Sequence, residues 1–253
     1  MKKHSIALLL LLVLLTGCGA KTEEAPWQTA YRETGKYLQE QDALSAGSVG
    51  GEWAVIGLSR AGLLSDETAQ SYEQTVEDYV KQAGSVRLHH AKSTENSRAI
   101  LGLTAAGYNA ANMAGVDLTA GLTDMAYLRA QGTNGPIWAL IALDCHGYDI
   151  PQCADGEEQT TCEGLVAEIL SYQCSDGGWA LMGDESDVDM TAMALTSLAP
   201  YQEETDIKAA VDAPLTYLSD AQQADGGFMS WGAANSESCA QVIVALTALG
   251  IDS

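Results

Sequence analysis

Five short stretches of the chain place side chains that can hold a ligand close together. They are Glu52-Trp53, Asn96 with Arg98, Asn134 with Trp138, Asp187 with Asp189, and Glu237 with Cys239. A pocket that orients a small molecule needs such carboxylates, amides, a guanidinium and indole rings, set against an apolar wall. Four of these groups have a competing use. Asp187, Asn96, Asn134 and Glu237 open apolar stretches, where a side-chain oxygen caps the first amides of a helix and meets its positive end. Trp231, Phe228 and Trp179 are candidates for an aromatic pocket that takes an apolar or cationic ligand, against their use as core at repeated positions. His89 and His90 lie in a polar stretch, residues 86–96, with Arg87 and Lys92, and a pair without further ligands reads as solvated.

Only a repeat would bring five such stretches together. Each precedes or opens about twelve residues rich in Ala, Leu, Ile and Val, closed by related sextets: GLSRAG (57–62), GLTAAG (102–107), ALDCHG (142–147), ALTSLA (194–199) and ALTALG (245–250). Their spacings are 45, 40, 52 and 51 residues. That composition suits a helix buried on most sides, and the final glycine can take the left-handed conformation that ends it. Between these lie polar stretches with one apolar stripe, residues 27–41, 67–82, 118–131, 163–173 and 207–222, which read as outer amphipathic helices. A period of this length predicts a solenoid or a ring of helical hairpins. If the inner helices run parallel, their N-terminal ends and the five polar stretches share one mouth.

A second repeat marks the turns. QCSDGGW (173–179) and QQADGGF (222–228) carry Gln, three residues, Gly, Gly and an aromatic ring. The glycines supply a sharp reversal, Trp179 and Phe228 fold beneath it, and Gln173 and Gln222 reach the free backbone groups of a neighbouring helix end. Gln131, Gly135 and Ile137 keep the spacing in weaker form. The motif is expected to be structural and not catalytic.

The N-terminus pairs Lys2, Lys3 and His4 with the apolar run Ile6 to Leu15 and then Thr16-Gly17-Cys18, an export signal. Ten apolar residues rise about 15 Å as a helix, half the bilayer core of about 30 Å, which argues against a spanning anchor. The small residues around Cys18 resemble a bacterial lipobox, whose cysteine takes a lipid and tethers the protein outside the cytoplasm. The formal charge is −22. Removing Lys2 and Lys3 leaves 10 basic residues against 34 acidic, a charge of −24. Such a surface excludes nucleic-acid binding and membrane contact beyond the anchor. Cys145, Cys153, Cys162 and Cys174 fall within thirty residues, and in an exported protein this clustering favours disulfides over zinc.

QCSDGGW matches the repeat of squalene and oxidosqualene cyclases. NGPIWALIALD (134–144), DVDMTAMALTSLAPY (187–201) and ESCAQVIVALTALGID (237–252) resemble exported bacterial prenyltransferase and squalene-oxidase repeat proteins. The resemblance runs from about Ala25 to Ser253. It implies an all-α fold, an α/α toroid of about five tandem hairpins, open or incomplete relative to the six of closed toroids. The family hosts enzymes and binders alike.

Asp187-Val-Asp189-Met190 resembles the acidic motif of class II terpene cyclases, which would make Asp189 the general acid with Asp187 beside it. Met190 stands where that motif ends in Asp. Glu237-Ser-Cys239 falls where prenyltransferases place part of a zinc site, and no histidine follows His146 to complete it. The expected organisation is a signal peptide with lipobox at 1–18, a short linker at 19–25 and one domain at 26–253. The expected function is an extracytoplasmic, membrane-anchored binding or interaction module, with neither metal nor cofactor. The alternative is a cyclase or prenyltransferase-type enzyme acting on a polyprenyl substrate. Expected site residues are Trp53, Arg98, Trp138, Asp187, Asp189, Glu237 and Trp231. Relatives that carry cobalamin imply a small hydrophobic or corrinoid-like ligand, and an open ring edge implies a protein partner.

Overall fold

The computed structural model of the protein describes residues 25–41, 44–230 and 232–251. The signal segment, Cys18 and Trp231 lie outside these described residues, so the expectations that fall on them find no structure here. What is described is all-α. It holds ten α-helices and one two-residue antiparallel pairing, Met229–Ser230 against Ala233–Ala234.

The chain separates into two compact units, one ending at Glu40 and the other beginning at Gln41. The first contains α1, Pro26–Gln39. Pro26 sits in its first turn, where a missing amide costs nothing, and the Gln28 side chain accepts from the Ala25 amide at 2.9 Å. Trp27, Tyr31 and Tyr37 of α1 are exposed.

In chain order the second unit holds α2 (Val49–Arg60), α3 (Asp66–Ala83), α4 (Thr94–Ala105), α5 (Met125–Arg129) and α6 (Asn134–Asp144). It continues with α7 (Cys162–Ser171), α8 (Val188–Leu198), α9 (Thr205–Ala221) and α10 (Ser236–Ala248). The even-numbered helices are the apolar ones. They pack in succession, α2 on α4, α4 on α6, α6 on α8 and α8 on α10. Between them they bury the core, including Ile100, Leu103, Ile137, Leu140 and Leu195. The amphipathic α3, α7 and α9 lie on α2, α6 and α8, burying one stripe each, such as Tyr72, Val76 and Val80 of α3.

The sextets end four of the five apolar helices in the same way. Gly62, Gly107, Gly147 and Gly250 have φ of 67, 87, 63 and 72°. The next residue then donates back to a carbonyl five positions earlier: Leu63 to Leu58 at 2.8 Å, and Tyr108 to Leu103, Tyr148 to Leu143 and Ile251 to Leu246, each at 2.9 Å. This double closure needs a left-handed residue, which glycine adopts without strain. The fourth sextet ends in Ala199, whose φ of −54° instead carries α8 into a 3-10 turn over Ala199–Tyr201.

The turn motif is structural, as its sequence predicts. Gly177 and Gly226, at φ of 92 and 86°, close matching turns in which Gly177 donates to Cys174 and Gly226 to Gln223. Trp179 is fully buried beneath the first, its indole N–H donating to the Ile169 carbonyl at 2.8 Å, and Phe228 is buried beneath the second. Gln173 does more than its repeat partner. Its amide nitrogen donates to the Gly177 carbonyl at 2.7 Å and to the Ala210 carbonyl of α9 at 2.9 Å. Ala210 would normally be served by the amide four residues on, which is Pro214 and has no N–H. Gln173→Ala should therefore orphan that carbonyl and cost about 1–3 kcal/mol in urea unfolding. In a Pro214→Ala background the backbone amide returns, so the same substitution should cost clearly less; an equal cost in both backgrounds would refute the pairing.

The third outer helix differs from its sequence pattern. Residues 118–131 form a 3-10 turn, Leu118–Leu122, and then the short α5. Asp124 interrupts them by capping α5 through the Ala126 amide at 3.1 Å. Gly121 presses against Asn96, where a Cβ would stand 2.2 Å from the side-chain nitrogen. The disulfide expectation also fails. Cys145, Cys153, Cys162, Cys174 and Cys239 are free thiols, and each sulfur contacts a different oxygen: Ala142, Glu157, the Asp144 carboxylate, Tyr172 and Asn235. Nearness in sequence did not become nearness of sulfurs because the cysteines fall on separate turns and helix ends.

Candidate functional site

Trp53 lies in the first turns of α2, whose N-terminus is capped by Ser48 accepting from the Gly51 amide at 3.0 Å. Trp138 lies at the corresponding depth in α6. The two rings meet at 5.3 Å between centroids and 60° between planes, the tilted geometry that aromatic pairs prefer. Between them in chain order, α4 carries Glu95 and Arg98, one helical turn apart and joined at 2.7 Å. Both side chains are only 13% exposed. Tyr79 of α3 adds a hydroxyl donated to Glu95 at 3.4 Å.

The N-terminus of α4 is held from outside its own repeat. Gln131 accepts from the Ser93 hydroxyl and the Thr94 amide, both at 3.0 Å, so a glutamine 37 residues along supplies the cap that Ser93 does not. In the next repeat Thr133 likewise spends its hydroxyl across the boundary, donating to the Ala180 carbonyl at 2.9 Å.

These side chains line an open cavity of about 410 Å³. Every apolar helix contributes: Trp53 from α2, Glu95 and Arg98 from α4, Asn134 and Trp138 from α6, Met193 from α8 and Gln241 from α10. Asn134 Oδ1 is itself buried and accepts no hydrogen bond among the described residues. Lys92 and Arg98 outnumber Glu95 in the lining, a positive spot on a chain of formal charge −22. The lining combines two indole faces with a few polar and charged groups, a composition suited to holding and orienting a small molecule.

Three expected site residues thus come together: Trp53, Arg98 and Trp138. Asp187 and Asp189 do not join them in the lining. Asp187 caps α8 through the Met190 amide at 2.8 Å, and burial raises its carboxyl above the usual range. Asp189 accepts from the Ser230 hydroxyl at 3.1 Å, while its other oxygen is buried and accepts from no described residue. Glu237 is exposed and accepts from the Ser236 hydroxyl at 3.1 Å; the cap of α10 is Asn235. Asn96 is no cap either. It is fully buried, accepts from the Leu88 amide and donates to the Val86 and Leu118 carbonyls, stitching the 86–88 stretch to the next repeat. The sequence reading missed Glu95, Gln131, Met193 and Gln241. Only Glu95 left a signal, its three-residue spacing from Arg98.

Directly behind Trp53, Glu52 is 1% exposed. One oxygen accepts from the Gly47 amide at 2.7 Å and the other from no described residue. Burial raises this carboxyl above an ordinary glutamate near 4.5, with backbone amides and Arg98 pulling it partly back. A raised acid keeps its proton in the fold after the unfolded chain has lost it, so stability falls as pH climbs from about 4.5 through the folded value. Glu52→Gln should then stabilise the fold at pH 7 by about 1 kcal/mol and be neutral at pH 4. A Gln variant that melts lower than wild type at pH 7 would show that the carboxylate is stabilising.

His89 and His90 stack at 4.4 Å and line a second cavity of about 450 Å³. Arg87 closes this region, lying over the Tyr127 ring at 4.4 Å and pairing with Asp124 at 3.0 Å and Glu157 at 2.6 Å. Among the described residues no group of three or more His, Cys, Asp or Glu is placed to hold a metal ion, and no helix is long and apolar enough to cross a membrane. No protein-family model matches the chain, no curated protein matches it, and no solved structure matches it.

Proposed function

We propose that this protein is a binding module, tethered to the outer face of the cell membrane through a lipid on Cys18, that holds a small ligand in the cavity between Trp53 and Trp138. One observation carries the reading. All five apolar helices send a side chain into the same cavity. A repeat scaffold that converges at one place on two indoles, a guanidinium and an ammonium has the composition of a ligand pocket. The architecture we infer is an open α/α toroid of five hairpins, similar to the terpenoid-cyclase and prenyltransferase repeat proteins. Its support is the succession of apolar helices and the fourfold repetition of one helix ending.

Ile243 and Val244 of α10 are 53% and 51% exposed. A protein partner on that apolar face is part of the proposal. The enzyme alternative keeps one supporting feature, the buried oxygen of Asp189 that accepts from no described residue. It is weakened because neither Asp187 nor Asp189 lines the cavity.

Native mass spectrometry of the protein extracted from its own membrane tests the reading. We expect a bound small molecule in the wild type that is absent from Trp138→Ala and retained by Asp189→Asn. No bound mass in the wild type would overturn the binding module. Turnover of a polyprenyl substrate that Asp189→Asn abolishes, with binding unchanged, would put the enzyme in its place.

A further inference from the structure

We infer that the ligand of this cavity joins an aromatic or other planar apolar body to a single carboxylate; this rests on the small-ligand reading above and narrows it. Size and shape come first. About 410 Å³ lies toward the small end of ligand pockets, which run from about 300 to 1,000 Å³. The tilted indole pair leaves Trp53 38% exposed, so a ring face is open to a flat partner.

Charge decides the polar end. Glu95 is already engaged by Arg98 and by the Tyr79 hydroxyl, so it does not stand open to a cation. Arg98 uses one nitrogen on Glu95, leaving most of its five N–H donors, and a fork of this kind suits a carboxylate's two oxygens. The Lys92 ammonium has no hydrogen-bond or ion-pair partner among the described residues. Two cations against one engaged carboxylate leave a single net positive charge in the lining. That balance matches a monoanion and falls short of a phosphate monoester, which carries close to two negative charges near neutral pH. The exposed acidic groups of the protein do not cancel this spot, because charges further than about 8 Å are largely screened at physiological ionic strength, and Glu52, which is buried behind Trp53 and feels Arg98, is pushed by burial toward its neutral form.

Three probes that share a ring and a chain length separate the cases: 3-phenylpropanoate, 3-phenylpropanamide and 3-phenylpropylamine, titrated calorimetrically at pH 7 into the full chain in detergent. The acid should bind at least tenfold tighter than the amide, and the amine weakest. Arg98→Gln and Lys92→Gln should each shrink the preference for the acid, and together remove it. Lys92 is exposed, so its variant keeps the test alive if the Arg98 variant does not fold. An amide or amine that binds as tightly as the acid overturns the carboxylate and leaves the small-ligand reading standing. If none of the three binds, the native mass measurement divides the outcomes. A bound mass lost in Trp138→Ala overturns the carboxylate alone, and the absence of any bound mass overturns both.

Discussion

Trp179→Ala is expected to lower stability by about 3–5 kcal/mol, the usual cost of deleting a large buried ring. Trp179 is fully buried between the end of α7 and the start of α8, and its indole N–H serves the Ile169 carbonyl. The alanine variant loses the ring's contacts and leaves that carbonyl without its donor. For a marginally stable fold such a loss is a large fraction of the total. Urea unfolding followed by tryptophan-independent circular dichroism checks it. A loss below about 1 kcal/mol would mean that the turn motif is ornamental and that the repeat is held elsewhere.

Gly135→Ala should have the second largest effect, about 3 kcal/mol, from a single added methyl group. At that position a Cβ would stand 2.0 Å from the Leu128 carbonyl oxygen and 2.8 Å from its carbon, both backbone atoms that cannot rotate away. The first turn of α6 must shift from the end of α5, and it carries Asn134 and Trp138 with it. Ligand affinity should therefore fall together with the melting temperature. Gly57 of α2 is the control. It lies in a helix interior with nothing within 4 Å of its Cβ position, so Gly57→Ala should raise stability by about 0.5–1 kcal/mol through helix propensity. If both alanines behaved alike, close approach of α5 to α6 would not be what fixes glycine at 135.

Much of this architecture could be read from the chain because it is written by local rules. The glycine closing each sextet reports a left-handed residue, and the four glycines have that conformation. Asp-Gly-Gly with a following ring reports a reversal over a buried aromatic, and Trp179 and Phe228 supply it. The third outer helix was misread because its apolar periodicity continues through Gly121 and Asp124. There a buried Asn96 and a side-chain cap compete successfully with helix propensity. Asn96 itself shows the limit of position-based reading, since an amide near a helix start caps or crosslinks depending on which loop arrives beside it. The cysteine cluster misled for a similar reason: its thirty residues run from the end of α6 through a long loop and the whole of α7 into the next turn, and sulfurs can bond only where Cα atoms come within about 7 Å. At the cavity, Trp53, Arg98 and Trp138 were legible from their shared depth in parallel repeats. Gln131, which holds the α4 terminus, and Gln241, from the last repeat, depend on contacts between repeats that no local pattern records.

The most direct measurement of the central claim is the set of indole N–H resonances of the isotopically labelled full chain, compared as purified from its membrane and after its small molecules have been stripped. The cavity as a ligand site predicts that the Trp53 and Trp138 signals move between the two samples while Trp179, sealed in the core, stays fixed. Unmoved Trp53 and Trp138 signals, with or without changes at Trp27, would contradict it.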